Sequence, residues 1–292
     1  LAFDFGASSG RAIRAVYDGQ NLTYEEIHRF ENVPIEKDGH LCWDVETLLK
    51  EIHTAIQKAG TFDSLGFDTW GVDFGLLDAD GHLLANPVHY RDARTNGKPE
   101  QAAACMPAEE LYAHTGSQIM AINTLFQLLA LQEQESELLQ KAEQILFMPD
   151  LFAALLGAEP VCERSIASTS QMLDPRTGQW SREVLTAYGL KENHFAPLVA
   201  SGTVTGTLTT GAKIIAVAGH DTQCASAAMP CAEEDVEHTA FLSCGTWSLL
   251  GTELDTPILT ADSCQSGLSN ELGANGKINY LKNIIGLWLI QE

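Results

Sequence analysis

The sequence predicts an α/β fold, a mixed β-sheet flanked by helices, and three observations carry that expectation. Two apolar strand-like runs, 1–5 and 12–17, are joined by the Gly- and Ser-rich loop 6–10. From 45 to 56 apolar residues recur at helical spacing, and a buried-looking run at 213–218 ends in Gly219-His220-Asp221, followed by a small-residue helix at 222–229. Alternation of strand and helix periods along one chain is the pattern of a sheet covered by helices.

The remaining elements follow in order. A third strand is expected at 22–30. Asp44 is placed as the N-cap of a helix because Val45, Leu48, Leu49, Ile52, Ala55 and Ile56 share one face, and Gly60 closes it. A strand follows near 64–69, after which Gly71, Asp73, Gly75 and Asp80-Gly81 mark turns between short extended pieces. Helical patterns dominate 108–157, with Pro149-Asp150 opening the last of them, whereas 158–212, rich in Thr, Ser, Gly and Pro, reads as loops with short elements. An acidic, turn-like stretch at 230–238 leads to strands at 239–243 and 247–250 around Gly245-Thr246. Strand, small hydroxyl-bearing loop and strand thus occur at 1–17 and again at 239–251, which implies a duplicated architecture with two phosphate-facing hairpins.

Bulk properties narrow the function. The 292 residues are 45% hydrophobic and 19% charged, ordinary values for a globular protein with a full core. The apolar runs 213–218 and 284–290 are far too short to span a bilayer, and residue 1 opens a strand rather than a signal peptide, so a cytoplasmic location and no membrane partner are expected. Seven cysteines, without a C-x-x-C pair or nearby His at metal-ligand spacing, read as reduced thiols. With 39 acidic against 17 basic residues the formal charge is -22, which repels a phosphate backbone and makes nucleic acid an unexpected partner. That field repels nucleotides as well, so a nucleotide site here has to be built locally from amides, a metal and a few cations.

Four segments carry candidate chemistry. In 4–11, Asp4 stands at a strand end, Gly6, Ala7, Ser8, Ser9 and Gly10 allow a phosphate close to the backbone, and Arg11 brings positive charge; a plain Gly-rich hairpin is the alternative. The chain has neither a P-loop nor a G-x-G-x-x-G fingerprint. In Gly219-His220-Asp221-Thr222, Asp221 is placed to accept a sugar hydroxyl proton as that oxygen attacks a γ-phosphorus, with His220 and Thr222 on neighbouring hydroxyls; a helix-capping role is equally compatible. Ser243-Cys244-Gly245-Thr246-Trp247 offers a second loop in which Thr246 steadies a phosphoryl group, or a simple hairpin turn. The stretch 68–75 combines Trp70, Gly71 and Asp73, with an aromatic face for sugar C–H groups and carboxylates for hydroxyls, or else core aromatics and turn formers.

Together, 4–11, DTWGVDFGLL at 68–77, HYRDARTNG at 89–97, LFMPDL at 146–151, Gly219-His220-Asp221-Thr222, FLSCGTWSLLG at 241–251 and LKNIIGLWLIQ at 281–291 resemble the FGGY carbohydrate kinases. The 68–77, 89–97 and 281–291 segments are most similar to the branch acting on rhamnulose. The resemblance implies an actin-like, ribonuclease H-like fold in each of two lobes, substrates in the cleft between them, and phosphorylation of L-rhamnulose at its C1 hydroxyl by Mg·ATP. Residue by residue it implies Asp221 as general base; Gly71, His220, Thr222 and Asn283 as sugar contacts; Ala7, Ser8, Ser9, Gly10, Arg11, Thr246 and Gln291 as nucleotide contacts; and Asp4 near Mg²⁺, while Trp70 and Asp73 stay sugar-side candidates by residue type. Arg91, Asp92 and Arg94 fall in a matching segment without an implied role.

It also implies a first lobe at 1–231 and the start of an incomplete second lobe at 232–292, ending within a helix-like run from about Ile284. That reading expects a fragment weak in ATP binding and turnover. The alternatives are a kinase for fuculose or xylulose, a non-catalytic sugar-binding fragment, a filament or chaperone ATPase of the same fold, and a hydrolase using Asp73 and Asp221 as a carboxylate pair.

Overall fold

Phe3 and Phe5 point into the core while Asp4 between them stays partly accessible, the alternation of a half-buried strand. The computed structural model describes residues 1–245 and 247–286. Strand β1 (Ala2–Phe5) turns through residues 6–8 into β2 (Ser9–Tyr17), which pairs with β3 (Leu22–Glu31) as an antiparallel meander. Helix α1 (Val45–Ala59) buries Val45, Leu48, Ile52, Ala55 and Ala59; Asp44 accepts from Thr47 N at 3.2 Å at its start, and Gly60 ends it at φ 67°. The chain then re-enters the sheet as β4 (Ser64–Thr69), parallel to β1.

Strand β5 (Phe74–Leu77) and helix α2 (Thr124–Gln134) follow, and within the region expected to be helical β6 (Gln144–Phe147) pairs antiparallel with β5. The run Ile145-Leu146-Phe147 is buried throughout, so it shows no two-residue alternation and its period cannot separate strand from helix. Helix α3 (Met148–Leu155) lays Phe152 against Phe5, with ring centroids 4.8 Å apart. The Thr- and Gly-rich stretch expected to be mostly loop contains the short helix α4 (Arg164–Ala167) and an edge strand, β7 (Thr203–Thr207). β8 (Lys213–Ala216) pairs with both β7 and β4, giving the sheet order β7-β8-β4-β1-β2-β3. Helix α5 (Asp221–Ala227) follows it.

A second, antiparallel sheet is built from β9 (Phe241–Cys244), β10 (Trp247–Leu254), β11 (Ser269–Leu272) and β12 (Ile278–Ile285) in the order β9-β10-β12-β11. β9 and β10 pair antiparallel as β1 and β2 do, the strand-loop-strand echo expected from the sequence, and β12 pairs with β10 as β3 does with β2, after an intervening excursion through β11. The helix-like run expected from Ile284 begins in strand, since β12 extends to Ile285; residues 287–292 lie outside the described residues. Phe241, Leu249 and Leu281 form a small core with Met229 and Trp247 against it, while Leu272 and Ile278 join the main core. Among the described residues no helix is long and apolar enough to cross a membrane, and all seven cysteines are unpaired.

Gly10 has a packing role. It stands opposite Phe5 and Phe30, and a Cβ there would lie 2.2 Å from the Phe30 ring. Gly10→Ala is expected to cost about 1–3 kcal/mol of stability through overpacking, read as a lower urea midpoint. An unchanged midpoint refutes this close approach.

Candidate active site

β1, β4 and β8 run parallel and end together, which sets residues distant in sequence side by side. Asp4 is level with Asp68, and an isolated parallel bridge joins Thr69 to His220, so the turn after β8 continues the sheet edge. Open carboxyl ends of parallel strands are where α/β sheets bind ligands. A cavity of about 360 Å³ lies there, between this edge and the second sheet. Of the residues predicted from sequence, Asp4, Ala7, Ser8, Ser9, Arg11, Trp70, Gly71, His220, Asp221, Thr222 and Asn283 line it. Gly10 and Asp73 do not, while Thr246 and Gln291 lie outside the described residues.

The first hairpin offers amides to the cavity. Gly6 N donates inward to Ser9 O at 2.9 Å, and Asn32 secures the outside of the turn by donating from Nδ2 to Gly6 O and from its amide to Ser8 O. Among the described residues the amides of Ala7 and Ser8 donate to no acceptor. Arg11 Nε is 2.9 Å from Asp4 Oδ2, so this cation is held at the same edge. Two amides without an acceptor and one guanidinium, itself paired with Asp4, therefore meet at this edge, donors of the kind that receive an anion.

The Gly219-His220-Asp221 turn is fixed from below by Glu163, whose buried carboxylate accepts from Gly219 N, Ser165 N, Ile166 N and the hydroxyls of Ser165 and Ser201. A Cβ on Gly219 would meet Pro149 at 2.8 Å, so glycine is required by close packing. His220 takes the N-cap position and Asp221 is the first residue of α5, which places its carboxylate at the positive helix end. Thr222 donates to Asp221 Oδ1 through both its amide, at 2.6 Å, and its hydroxyl, and His220 Nε2 lies 3.4 Å from the same oxygen. Among the described residues Oδ2 has no partner, so one oxygen is anchored and the other is available to a substrate proton. The capping reading and the base reading are therefore compatible, each using a different oxygen.

Burial raises the Asp221 pKa above the usual carboxylate range, with Asp4 adding to it, while His220 and the Thr222 bonds oppose. Burial also pushes Asp68 well up, with the charges of Asp4 and Asp221 adding to it. For His220 burial alone favours the neutral ring, but Glu271 at 2.8 Å from Nδ1, then Asp221 and Asp68, outweigh it and raise the imidazole to about 9. Glu271 comes from β11 and was not singled out in the sequence. Its signal is a carboxylate in the strand Ser-Asn-Glu-Leu, every residue of which is buried.

The opposite wall is set by an unusual backbone. Val72 has φ 67°, a strained value for a β-branched residue, held by Thr169 Oγ1 accepting from its amide and Thr124 Oγ1 donating to its carbonyl. The break in strand alternation leaves Trp70 and Gly71 on the cavity and turns Asp73 into the core. Asp73, expected beside the sugar, instead accepts from Trp43 Nε1 at 2.6 Å, Trp70 Nε1 at 3.0 Å, Gln127 Nε2 at 2.8 Å and Tyr90 N at 3.2 Å. It therefore fixes the ring that faces the cavity and is not paired with Asp221 in it. In the 89–97 segment Tyr90 lines the cavity, Asp92 accepts from Leu41 N and Arg94 N, and Arg94 donates to Gln127. From the second sheet, Asn283 reaches Gln118 at 3.3 Å, and Ser243 and Gly245 of the second hairpin border the same cavity.

One carboxylate at this edge has the chemistry of a hard-cation donor. Asp4, at the end of β1 and on the cavity, is a hard oxygen donor of the kind such an ion takes when it keeps most of its waters. Among the described residues one trio, Asp78, Asp80 and His82, has ligand atoms within 4.8 Å of one another, and it is not part of the cavity.

Comparison with known proteins agrees with this geometry. The chain is 41% identical to a rhamnulokinase of Bacteroides thetaiotaomicron and 40% identical to one of Enterococcus faecalis. Both alignments take in all of this chain, which spans 62% and 61% of the length of those relatives. Among solved structures, a carbohydrate kinase from Novosphingobium aromaticivorans superposes with a TM-score of 0.81 at 22% identity, over 100% of this chain and 64% of that one, a likeness of fold. Residues 1–227 match the N-terminal domain of the FGGY family of carbohydrate kinases, and the chain belongs to that family.

Proposed function

We infer that this chain is the acceptor-binding part of an ATP-dependent ketose kinase whose substrate is L-rhamnulose, phosphorylated at its C1 hydroxyl. One observation carries the reading. The free Oδ2 of Asp221 and the unpaired amides after β1 face the same 360 Å³ cavity, large enough for a ketose beside a phosphate tail. Similarity to two rhamnulokinases supports the choice of sugar.

In this reading Asp221 Oδ2 orients the C1 hydroxyl and takes its proton as the oxygen bonds to phosphorus; its worth lies in alignment and late proton acceptance. Trp70 covers an apolar side of the ketose, and Gly71, His220, Thr222 and Asn283 meet its hydroxyls. Ala7, Ser8 and Ser9 hold phosphate oxygens, with Arg11 supplying charge, and Asp4 would hold Mg²⁺ through water. When bound, that ion neutralises charge building on the transferring phosphoryl group. Residues 1–231 form the first lobe and 232–292 begin the second.

The test is ADP release by the full-length protein with L-rhamnulose, L-fuculose and D-xylulose. L-Rhamnulose is expected to give the highest kcat/KM by at least about tenfold, the discrimination a few hydroxyl contacts can supply. Ketose-independent ADP formation, or a preference for xylulose, rejects the reading.

A further inference from the structure

Glu271 and Asn279 stand directly opposite each other on β11 and β12, and both reach across to α5. Glu271 Oε2 accepts from Gln223 Nε2 at 2.8 Å and pairs with His220 Nδ1 at 2.8 Å, while Asn279 Nδ2 meets Gln223 Oε1 and donates to Ser226 Oγ at 2.9 Å. Gln223 is fully buried, and Glu271 is 5% exposed at the cavity edge. The second sheet therefore grips the helix that begins with Asp221. A carboxylate on Nδ1 fixes the orientation of an imidazole and the position of its other nitrogen, here 3.4 Å from Asp221 Oδ1.

We propose that Glu271 is a positioning residue for the base: by holding His220 Nδ1 and Gln223 together it keeps Nε2–H turned on Asp221 Oδ1, so that the second sheet arms a carboxylate belonging to the first. The proposal rests on the assignment of Asp221 above. It gives the buried Glu271 a task beyond joining two sheets. The held imidazolium supplies the positive charge next to Asp221, offsetting the burial and the Asp4 charge that favour a protonated acid. The charged or titratable groups around Asp221 are His220 on its own turn, Cys224 on α5, Asp4 on β1 with Arg11 of β2 paired to it, and Asp68 on β4, while His220 faces Glu271, Asp221 and Asp68.

The test compares Glu271→Gln and Glu271→Asp in the full-length protein. Gln keeps the size and an acceptor for Nδ1–H but removes the charge. For Glu271→Gln, kcat with L-rhamnulose is expected to fall about 10–100-fold, the usual cost of losing such a supporting carboxylate, with the KM for ATP unchanged. The acid limb of kcat/KM should move to higher pH, because losing the neighbouring positive charge raises the Asp221 pKa. Glu271→Asp should recover part of the rate, which a purely steric role would not give. In parallel, side-chain ¹⁵N NMR of histidine, with His220 assigned by its loss in His220→Gln, should show both ring nitrogens protonated near pH 7.5 and one in Glu271→Gln. Wild-type kcat with an unmoved acid limb overturns the proposal. Should the unaltered protein release no ketose-dependent ADP, the kinase reading falls instead, and the NMR comparison still decides: an unchanged His220 spectrum in Glu271→Gln rejects the role of Glu271, and loss of one proton supports it.

Discussion

Asp221→Ala is expected to lower ketose-dependent kcat by roughly 10²–10⁴-fold, the range for removal of a general base. The fold should survive, because the side chain sits at the first turn of α5 and its carboxylate faces the cavity. Thr222 loses two bonds to Oδ1 but borders the cavity, where a water takes the acceptor's place, so the structural cost is small beside the kinetic one. The ketose should still bind, through groups this substitution leaves in place. Single-turnover phosphate transfer, with ketose affinity measured by calorimetry on the same variant, separates the two effects. A variant that keeps more than about a tenth of wild-type turnover removes Asp221 from the chemistry. Asp221→Asn should be nearly as slow, because it retains size and hydrogen bonding but cannot take a proton.

The second large effect concerns stability. Asp73→Ala is expected to destabilise the protein by roughly 3–5 kcal/mol, the cost of removing a buried charged partner and stranding the donors it served. Those donors are two indole N–H groups, the Gln127 amide and the Tyr90 backbone, all in the core. Asp73 itself is a compromise. Burial raises it to about 6, although the bonds from Trp43, Gln127 and Trp70 and the Tyr90 amide all favour the charged form. A carboxyl whose folded pKa exceeds its unfolded value near 3.8 stabilises most below that value and loses its contribution as pH climbs through about 6. The gap between wild type and Asp73→Ala should therefore narrow from pH 4 to pH 7, as measured by urea denaturation across that range. A gap that widens instead means that the donated bonds, and not burial, dominate at Asp73.

Local patterns exposed much of this architecture. The hairpin at 1–17, the helix capped by Asp44, and the strand leading into Gly219-His220-Asp221 each carry their own period and punctuation, and each forms as read. Where tertiary burial erased the period, the sequence misled: Ile145-Leu146-Phe147 is apolar on both sides because β5, α3 and the main core enclose it, and it looks helical. Asp73 misled for another reason. Its direction depends on the left-handed backbone at Val72, which two distant threonines hold in place and no neighbouring residue announces. Glu163 and Glu271 escaped notice because a single acidic residue in a short polar-and-apolar segment reveals nothing of partners 56 and 51 residues away.

The convergence of β1, β4 and β8 at one edge also sets an order of events during synthesis. The first hairpin needs only the first 17 residues of the nascent chain, and Asp68 joins it once β4 has left the ribosome. Asp221 is made some 150 residues later, and Glu271 later still. Contacts so far apart in sequence form slowly and late. A stalled or half-translated product thus carries the first hairpin without Asp221 or the Glu271 that holds its histidine neighbour.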